Sequence, residues 1–244
     1  MTILIISCIF GKKFKKVYPA PAPDPSNKEK EKEKYKCLFF TNNKELLSEL
    51  ESKGWTPVFI RYPLSENNLI SSLQSKYIKF LQFLNNKRFE HLKNEYKQIL
   101  YFDHKFYVLE EHIDKLIQLA YGPILIRSTP HNTRNIWAEV NQAKGQDRYK
   151  NGMPKTIQLI NYMINQKRIN SNVTICNTGL IFYNDITSIE VTQFLQNIYN
   201  ACIGLSQPEC QIFWAIYSQT GPGRELIKVI PFSEVCPLWK CPAS

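Results

Sequence analysis

Three polar residues, Asp103, His104 and Lys105, directly follow a short apolar run in the middle of the chain. That run, 99–102, has four apolar residues between polar neighbours, which is typical of a strand buried on both faces. In an open α/β sheet, ligands bind just beyond the carboxyl ends of the strands. A carboxylate there could hold a metal ion or a ribose hydroxyl, and a lysine could hold phosphate. The alternative is a polar β-turn, because a second apolar run, 106–109, follows at once.

Other polar residues end the earlier apolar runs. Ser7, Cys8 and Gly11 close the first run, and Thr41 and Asn42 close the second. If the sheet is parallel, these residues lie along one edge of it together with Asp103, where the base, ribose and diphosphate of a nucleotide sugar would find partners. Lys76 is a candidate for the diphosphate, because it lies on a helix whose opposite face is apolar. The alternative for Lys76 is an ordinary solvated lysine.

A second group of candidates lies after residue 130. His131 and Arg134 precede a helix that carries Glu139, so the three could bind an acceptor or a phosphate. The alternative is a helix cap followed by surface charges. Glu209 and Gln211 begin an aromatic helix and could place a carboxylate and an amide in a site. The alternative for Glu209 is the ordinary preference of acids for the first turn of a helix.

An interruption at 177–179 breaks an otherwise apolar strand. Its sequence, Asn177-Thr-Gly179, puts a glycine where a ligand or another backbone segment could approach closely. The alternative is a β-bulge.

Strands alternate with helices along the chain, and this order predicts a single α/β domain over 1–244 with a mostly parallel central sheet flanked by helices. The strands are expected at 3–10, 35–40, 55–62, 99–102, 124–126, 172–183 and 226–230. The main helices are expected at about 44–53, 65–84, 110–120, 133–143, 155–165, 189–202 and 208–218. The segment at about 12–34 is rich in Pro, Lys and Glu, which predicts a flexible surface loop.

The composition is that of a globular protein, with 43% hydrophobic and 21% charged residues among 244. A net charge of +10 favours an anionic partner. No nucleic-acid partner is expected, because the excess positive charge lies at 12–16 and no basic face recurs along a later helix. A basic nucleic-acid-binding protein is a weaker alternative that rests on charge alone. The apolar run 3–10 is too short to span a bilayer and lacks the features of a signal peptide, so no transmembrane segment and a cytoplasmic location are expected.

Several common site motifs are absent from the sequence. There is no P-loop, GxGxxG, GxSxG or HExxH pattern, and the seven cysteines include no CxxC pair.

The order of these elements resembles that of the GT-A glycosyltransferases, nucleotide-sugar enzymes with one Rossmann-like domain. Five stretches carry the resemblance: 5–11, 37–42, 72–77, 99–105 and 177–182. The chain is similar to the glycosyltransferase domain with which large algal DNA viruses decorate their capsid protein, and to related plant and bacterial glycosyltransferases. The resemblance implies transfer of a sugar from a nucleotide-diphosphate sugar, with UDP-sugar favoured, to a hydroxyl of a glycan or glycoprotein. The alternative is a catalytically inactive nucleotide-sugar or glycan-binding domain of the same fold.

The resemblance also implies roles for particular residues. Asp103 would take the first position of the family's Asp-x-Asp motif, which binds ribose and a divalent metal such as Mn²⁺ or Mg²⁺. Lys105 replaces the second Asp, usually the principal metal ligand. Either Asp103, with His104 or water, still holds a metal, or Lys105 takes the place of the metal beside the leaving diphosphate.

The remaining implied roles divide between donor and acceptor. Donor contacts are expected from Ser7, Cys8, Gly11, Thr41, Asn42 and Lys76, and acceptor contacts from Arg134, Glu139 and Asn177. His131, Glu209 and Gln211 are expected to act in catalysis with Asp103 and Lys105. Cys210-Gln211 falls where relatives often have Asp-Gln, and Glu209 is the adjacent substitute for that carboxylate.

Overall fold

The computed structural model describes residues 2–12, 16–21 and 34–236, and these residues form a layered α/β fold. The expected sheet flanked by helices is confirmed. The described strands are β1 (Ile3–Ile9), β2 (Tyr35–Thr41), β3 (Thr56–Phe59), β4 (Ile99–Phe102), β5 (Ile124–Ser128), β6 (Cys176–Tyr183) and β7 (Ile227–Ile230).

The seven strands form one mixed, mostly parallel sheet in the order β3-β2-β1-β4-β6-β5-β7. The pairs β1–β2, β2–β3, β1–β4 and β5–β7 are parallel, whereas β6 runs antiparallel to both β4 and β5. Consequently the carboxyl ends of β1, β4 and β5 and the amino end of β6 lie at the same edge of the sheet. Ligand sites of open α/β sheets form at such an edge.

The helices connect these strands across both faces of the sheet. They are α1 (Leu47–Ser52), α2 (Asn68–Lys79), α3 (His91–Glu95), α4 (Glu110–Leu119), α5 (Ile136–Ala143), α6 (Asp147–Lys150), α7 (Met153–Asn165), α8 (Ile189–Gly204), α9 (Cys210–Tyr217) and α10 (Gly223–Leu226). Within the described ranges, no helix is long and apolar enough to cross a lipid bilayer.

Helix α2 is shorter than the sequence pattern predicts. Asn67 caps its start, with the side chain accepting a hydrogen bond from the backbone of Leu69 at 2.8 Å. The predicted continuation to residue 84 is wrong, because Leu81 adopts a left-handed backbone conformation with φ of 56°. The chain then resumes as a short 3-10 turn at 82–85. The last turn of α2 therefore ends at the edge of the sheet.

The side chains of β1 point alternately into the two hydrophobic clusters of the core. Leu4, Ile6 and Cys8 join the cluster that includes residues of α7, α8 and α9, whereas Ile3 and Ile5 join the cluster that includes residues of α1 and α4. Successive side chains of a strand point to opposite faces, so β1 is buried on both sides.

Part of the predicted flexible loop at 12–34 is packed against the protein. Residues 13–15 and 22–33 lie outside the described residues. Val17 and Tyr18 are buried, and the carbonyl of Tyr18 accepts a hydrogen bond from Trp55 Nε1 at 2.8 Å. The amide of Ala20 donates to the carbonyl of Lys53 at 2.8 Å. The expectation of a surface loop therefore does not hold for residues 16–21, whose apolar side chains and carbonyl groups find partners beside β3.

Candidate functional site

A cleft of about 860 Å³ opens at the edge of the sheet where β1 and β4 end. Its walls come from the end of β1, the turn after β4, the loop after β5, the start of β6, the helices α2, α5 and α6, and the segment that begins α9. The cleft brings together ten of the residues that the sequence singled out: Cys8, Lys76, Asp103, His104, Lys105, His131, Glu139, Asn177, Glu209 and Gln211.

The turn after β4 is both a β-turn and a wall of the cleft. The amide of Phe106 donates to the carbonyl of Asp103 at 2.9 Å, which closes a four-residue turn. The amide of Asp103 itself donates to the carbonyl of Gly179 at 2.9 Å. The turn therefore fixes Asp103 between β4 and β6, with His104 and Lys105 at its tip.

A partly buried ion pair joins Asp103 to Lys79, which the sequence analysis did not select. Lys79 Nζ lies 3.0 Å from Asp103 Oδ1, and the hydroxyl of Tyr101 donates to the same oxygen at 2.7 Å. Only 4% of Lys79 is exposed. Burial alone would raise the pKa of Asp103, but Lys79, Lys105 and the Tyr101 hydroxyl hold it below its ordinary range. Burial opposes the charge of Lys79, yet the Asp103 carboxylate raises the Lys79 pKa, so the pair is ionised.

The end of α2 positions Lys79 for this contact. The buried hydroxyl of Tyr183, in β6, donates to the carbonyl of Lys79 at 2.6 Å and fixes the last turn of the helix. Lys76 is three residues earlier, so it lies on the same side of the helix, and it is 7% exposed. The i, i+3 spacing of the two lysines was the available sequence signal. The sequence analysis used only half of this signal, because it selected Lys76 and not Lys79, which follows one helical turn later.

The residues around Asp103 do not fit the divalent metal that the resemblance implied. In the described part of the chain, no group of three or more His, Cys, Asp or Glu could hold a metal ion. One oxygen of Asp103 already accepts hydrogen bonds from Lys79 and Tyr101. Mn²⁺ and Mg²⁺ take several oxygen ligands, whereas the groups that act electrostatically on Asp103 here include three lysines, Lys76, Lys79 and Lys105.

The interruption in β6 is a bulge that contributes to the cleft. Pairing between β5 and β6 shifts register after Ile126, so that Arg127 pairs with Asn177. Asn177, Thr178 and Gly179 all line the cleft as a result. A Cβ added to Gly179 would lie 2.7 Å from a ring carbon of Phe106 and 3.1 Å from Asp103 Oδ2. Glycine is needed at this position because the Asp103 turn packs directly against it.

Two carboxylates and an amide form the wall of the cleft at α5 and α9. Gln211 Nε2 donates to Glu139 Oε1 at 2.8 Å. Glu209 caps α9, because its side chain accepts a hydrogen bond from the backbone of Gln211 at 3.2 Å. Burial, followed by the nearby charge of Glu209, raises the pKa of Glu139 to about 7, although the hydrogen bond from Gln211 opposes this. Glu139 can therefore both release and accept a proton near neutral pH.

Five predicted contact residues do not line the cleft: Ser7, Gly11, Thr41, Asn42 and Arg134. Ser7 is fully buried and donates to the carbonyl of Phe102 at 2.8 Å. Asn42 accepts from the amide of Gly11 at 2.9 Å and donates to the carbonyl of Pro63 at 2.9 Å. The hydrogen bond of Ser7 therefore joins β1 to β4, and those of Asn42 join the end of β2 to the end of β1 and to the chain before α2.

Comparison with solved structures finds a distant likeness in fold. The chain is similar to the crystal structure of mouse xyloside xylosyltransferase 1 in its apo form, with a TM-score of 0.43 and 11% sequence identity over 96% of this chain and 86% of that one. No protein-family model matches the chain, and no curated protein matches it significantly. At this TM-score and identity the likeness says nothing about activity, and none of these results bears on the donor, the acceptor or the likeness to viral enzymes.

Proposed function

We propose that this protein is a glycosyltransferase that moves a sugar from a nucleotide-diphosphate sugar to a hydroxyl of a glycan or glycoprotein. The observation that carries the proposal is the concentration of lysines around one carboxylate in the cleft. Lys76, Lys79 and Lys105 line it together with Asp103. Lysine ammonium groups are suited to the oxygens of a diphosphate, and the volume of about 860 Å³ falls in the range of small-molecule sites.

The chemistry divides between two walls of the cleft. On the donor wall, the lysines would stabilise the negative charge that develops on the departing diphosphate, and Asp103 would accept a hydrogen bond from the ribose. On the wall formed by α5 and α9, Glu139 would take up the proton released by the attacking hydroxyl, with Gln211 orienting its carboxylate. His131, Asn177 and Glu209 are further candidates for contact with the acceptor.

Thermal unfolding with added nucleotides tests the proposal. UDP and UDP-sugars at about 100 times their Kd should raise Tm by about 5–10 °C, because a ligand that binds only the folded state stabilises it by mass action. No shift with any nucleoside diphosphate or nucleotide sugar would refute the proposal.

Substitution of the exposed Lys105 separates turnover from folding. Lys105→Ala should lower the rate of sugar transfer about 100-fold while leaving Tm nearly unchanged, since the ammonium acts on charge that develops in the transition state. Lys144→Ala is the matched control, because Lys144 is exposed and lies outside the cleft. Equal rates for the two variants would remove Lys105 from the mechanism.

A second candidate function is a nucleotide-sugar-binding domain without turnover. The pairing of Asp103 with Lys79 favours it, because the Asp-x-Asp carboxylate of the resemblance is already engaged within the protein. Binding of UDP-sugars with neither hydrolysis nor transfer to any of a panel of glycan acceptors would favour this candidate over the enzyme.

A further inference from the structure

We propose that lysines of α2, led by Lys79, take the place of a divalent metal in this cleft, so that the diphosphate ligand binds without Mn²⁺ or Mg²⁺. The inference rests on the proposed function, since it concerns the ligand of the same site. It assigns the compensating charge to Lys79 and Lys76, two residues of one helix of which the sequence pattern singled out only Lys76.

The first ground is the position of Lys79 beside the carboxylate. Its ammonium lies 3.0 Å from Oδ1 of Asp103, the residue that the resemblance assigns to a metal. An ammonium has three N–H donors, so the contact with Asp103 is compatible with donation to a phosphate oxygen as well. Lys79 lines the cleft, so a ligand in the cleft can approach it.

The second ground is that the site holds this ammonium rigidly. Tyr183 fixes the carbonyl of Lys79, and Tyr101 fixes the carboxylate with which Lys79 pairs. The side chain is nearly inaccessible to bulk water, being 4% exposed. A hydrogen-bond donor that is already oriented needs no rearrangement when a diphosphate binds. A bound metal ion would otherwise supply such a fixed positive charge.

The third ground is the composition of the surrounding wall. Ser72 and Ser75 line the cleft on the same helix as Lys76 and Lys79, and Lys105 faces it from the turn after β4. Hydroxyl and ammonium groups can both donate to phosphate oxygens, and an ammonium has no lone pair with which to bind a divalent cation. A dication placed at Asp103 would also be repelled by Lys76, Lys79 and Lys105, which line the same cleft.

Calorimetric titration of UDP into the full chain tests the inference, once with excess EDTA and once with Mn²⁺. We expect Kd to agree within about twofold between the two conditions, and Mn²⁺ alone to give no binding signal. Tightening by about tenfold or more on addition of Mn²⁺ would overturn the inference while leaving the proposed function intact. Absence of UDP binding under both conditions would overturn the proposed function itself, and the inference with it.

Two variants identify the residues responsible. Lys76→Met leaves the Lys79–Asp103 pair in place and should weaken UDP binding in EDTA about tenfold. Lys79→Met combined with Asp103→Asn removes both charges of the ion pair together, which avoids an unpaired carboxylate in the folded protein. This double variant should weaken UDP binding more than Lys76→Met does, and Mn²⁺ should not restore the binding. Lys144→Met is the control and should bind as the wild type does. If both cleft variants bound UDP with the affinity of this control, the assignment to α2 would be wrong.

Discussion

Glu139→Gln is expected to change the way the stability of the protein depends on pH. Glu139 is 5% exposed, and burial together with the charge of Glu209 raises its pKa from the ordinary 4.5 to about 7. The folded chain therefore binds this proton more tightly than the unfolded chain does. Glutamine preserves the shape of the side chain and still offers an oxygen to Gln211, so the substitution removes the ionisation and little else.

The sign and the size follow from this difference in proton affinity. Below pH 4.5 the carboxyl group is protonated in both states, and its contribution to stability is fully present. Between pH 4.5 and 7 the unfolded chain has released the proton while the folded chain retains it, so the free energy of unfolding falls as pH rises. The difference between the pKa values of 4.5 and about 7 corresponds to a loss of about 3 kcal/mol in the free energy of unfolding.

Urea unfolding at a series of pH values from about 4 to 8 provides the assay. The wild type should lose about 3 kcal/mol relative to Glu139→Gln across this range, most of it between the two pKa values. Gln142→Ala is the matched control, because Gln142 lies on the same helix and lines the same cleft, but its substitution removes no ionisable group. Parallel curves for the wild type and Glu139→Gln would show that Glu139 ionises normally in the folded protein, and the role of proton acceptor at neutral pH would then have no basis.

Two further predictions concern the frame of the cleft. Gly179→Ala should destabilise the protein by about 1–3 kcal/mol in urea unfolding and weaken UDP binding, because the new Cβ would collide with the Phe106 ring and press on Asp103. Gly204→Ala is the control, because Gly204 lies in helix α8 and no atom is within 4 Å of the added Cβ. This substitution should leave stability unchanged or raise it by up to about 1 kcal/mol. Equal losses of stability in the two variants would contradict this explanation. Asn42→Ala should lower the free energy of unfolding by about 1–3 kcal/mol, because it leaves the buried amide of Gly11 without its acceptor. The groups that line the cleft are unchanged. An unchanged urea midpoint would show that this hydrogen bond is dispensable.

The sequence by itself determined the local structure and much of the cleft. Apolar runs between polar residues located the strands, because a strand buried on both faces needs a continuous apolar sequence. The glycine at 179 and the turn beginning at Asp103 were also visible, since each depends on the conformational preferences of a few neighbouring residues. The principle that parallel strands present their carboxyl ends at one edge placed Cys8 and Asp103 in the cleft correctly, but Ser7, Gly11, Thr41 and Asn42, which it placed beside them, do not line it.

Only the tertiary structure decided how those residues pair. Lys79 belongs to a helix and Asp103 to a turn 24 positions later, and nothing local distinguishes this lysine from a solvated one. Asn42 was expected to touch a ligand, but it instead joins the end of β1 to the chain before α2. Hydrogen bonds and ion pairs between distant segments depend on the distances that strand order and the ends of helices impose, which neither composition nor periodicity contains. For this protein, the ion pair between Asp103 and Lys79 depends on the point at which α2 ends.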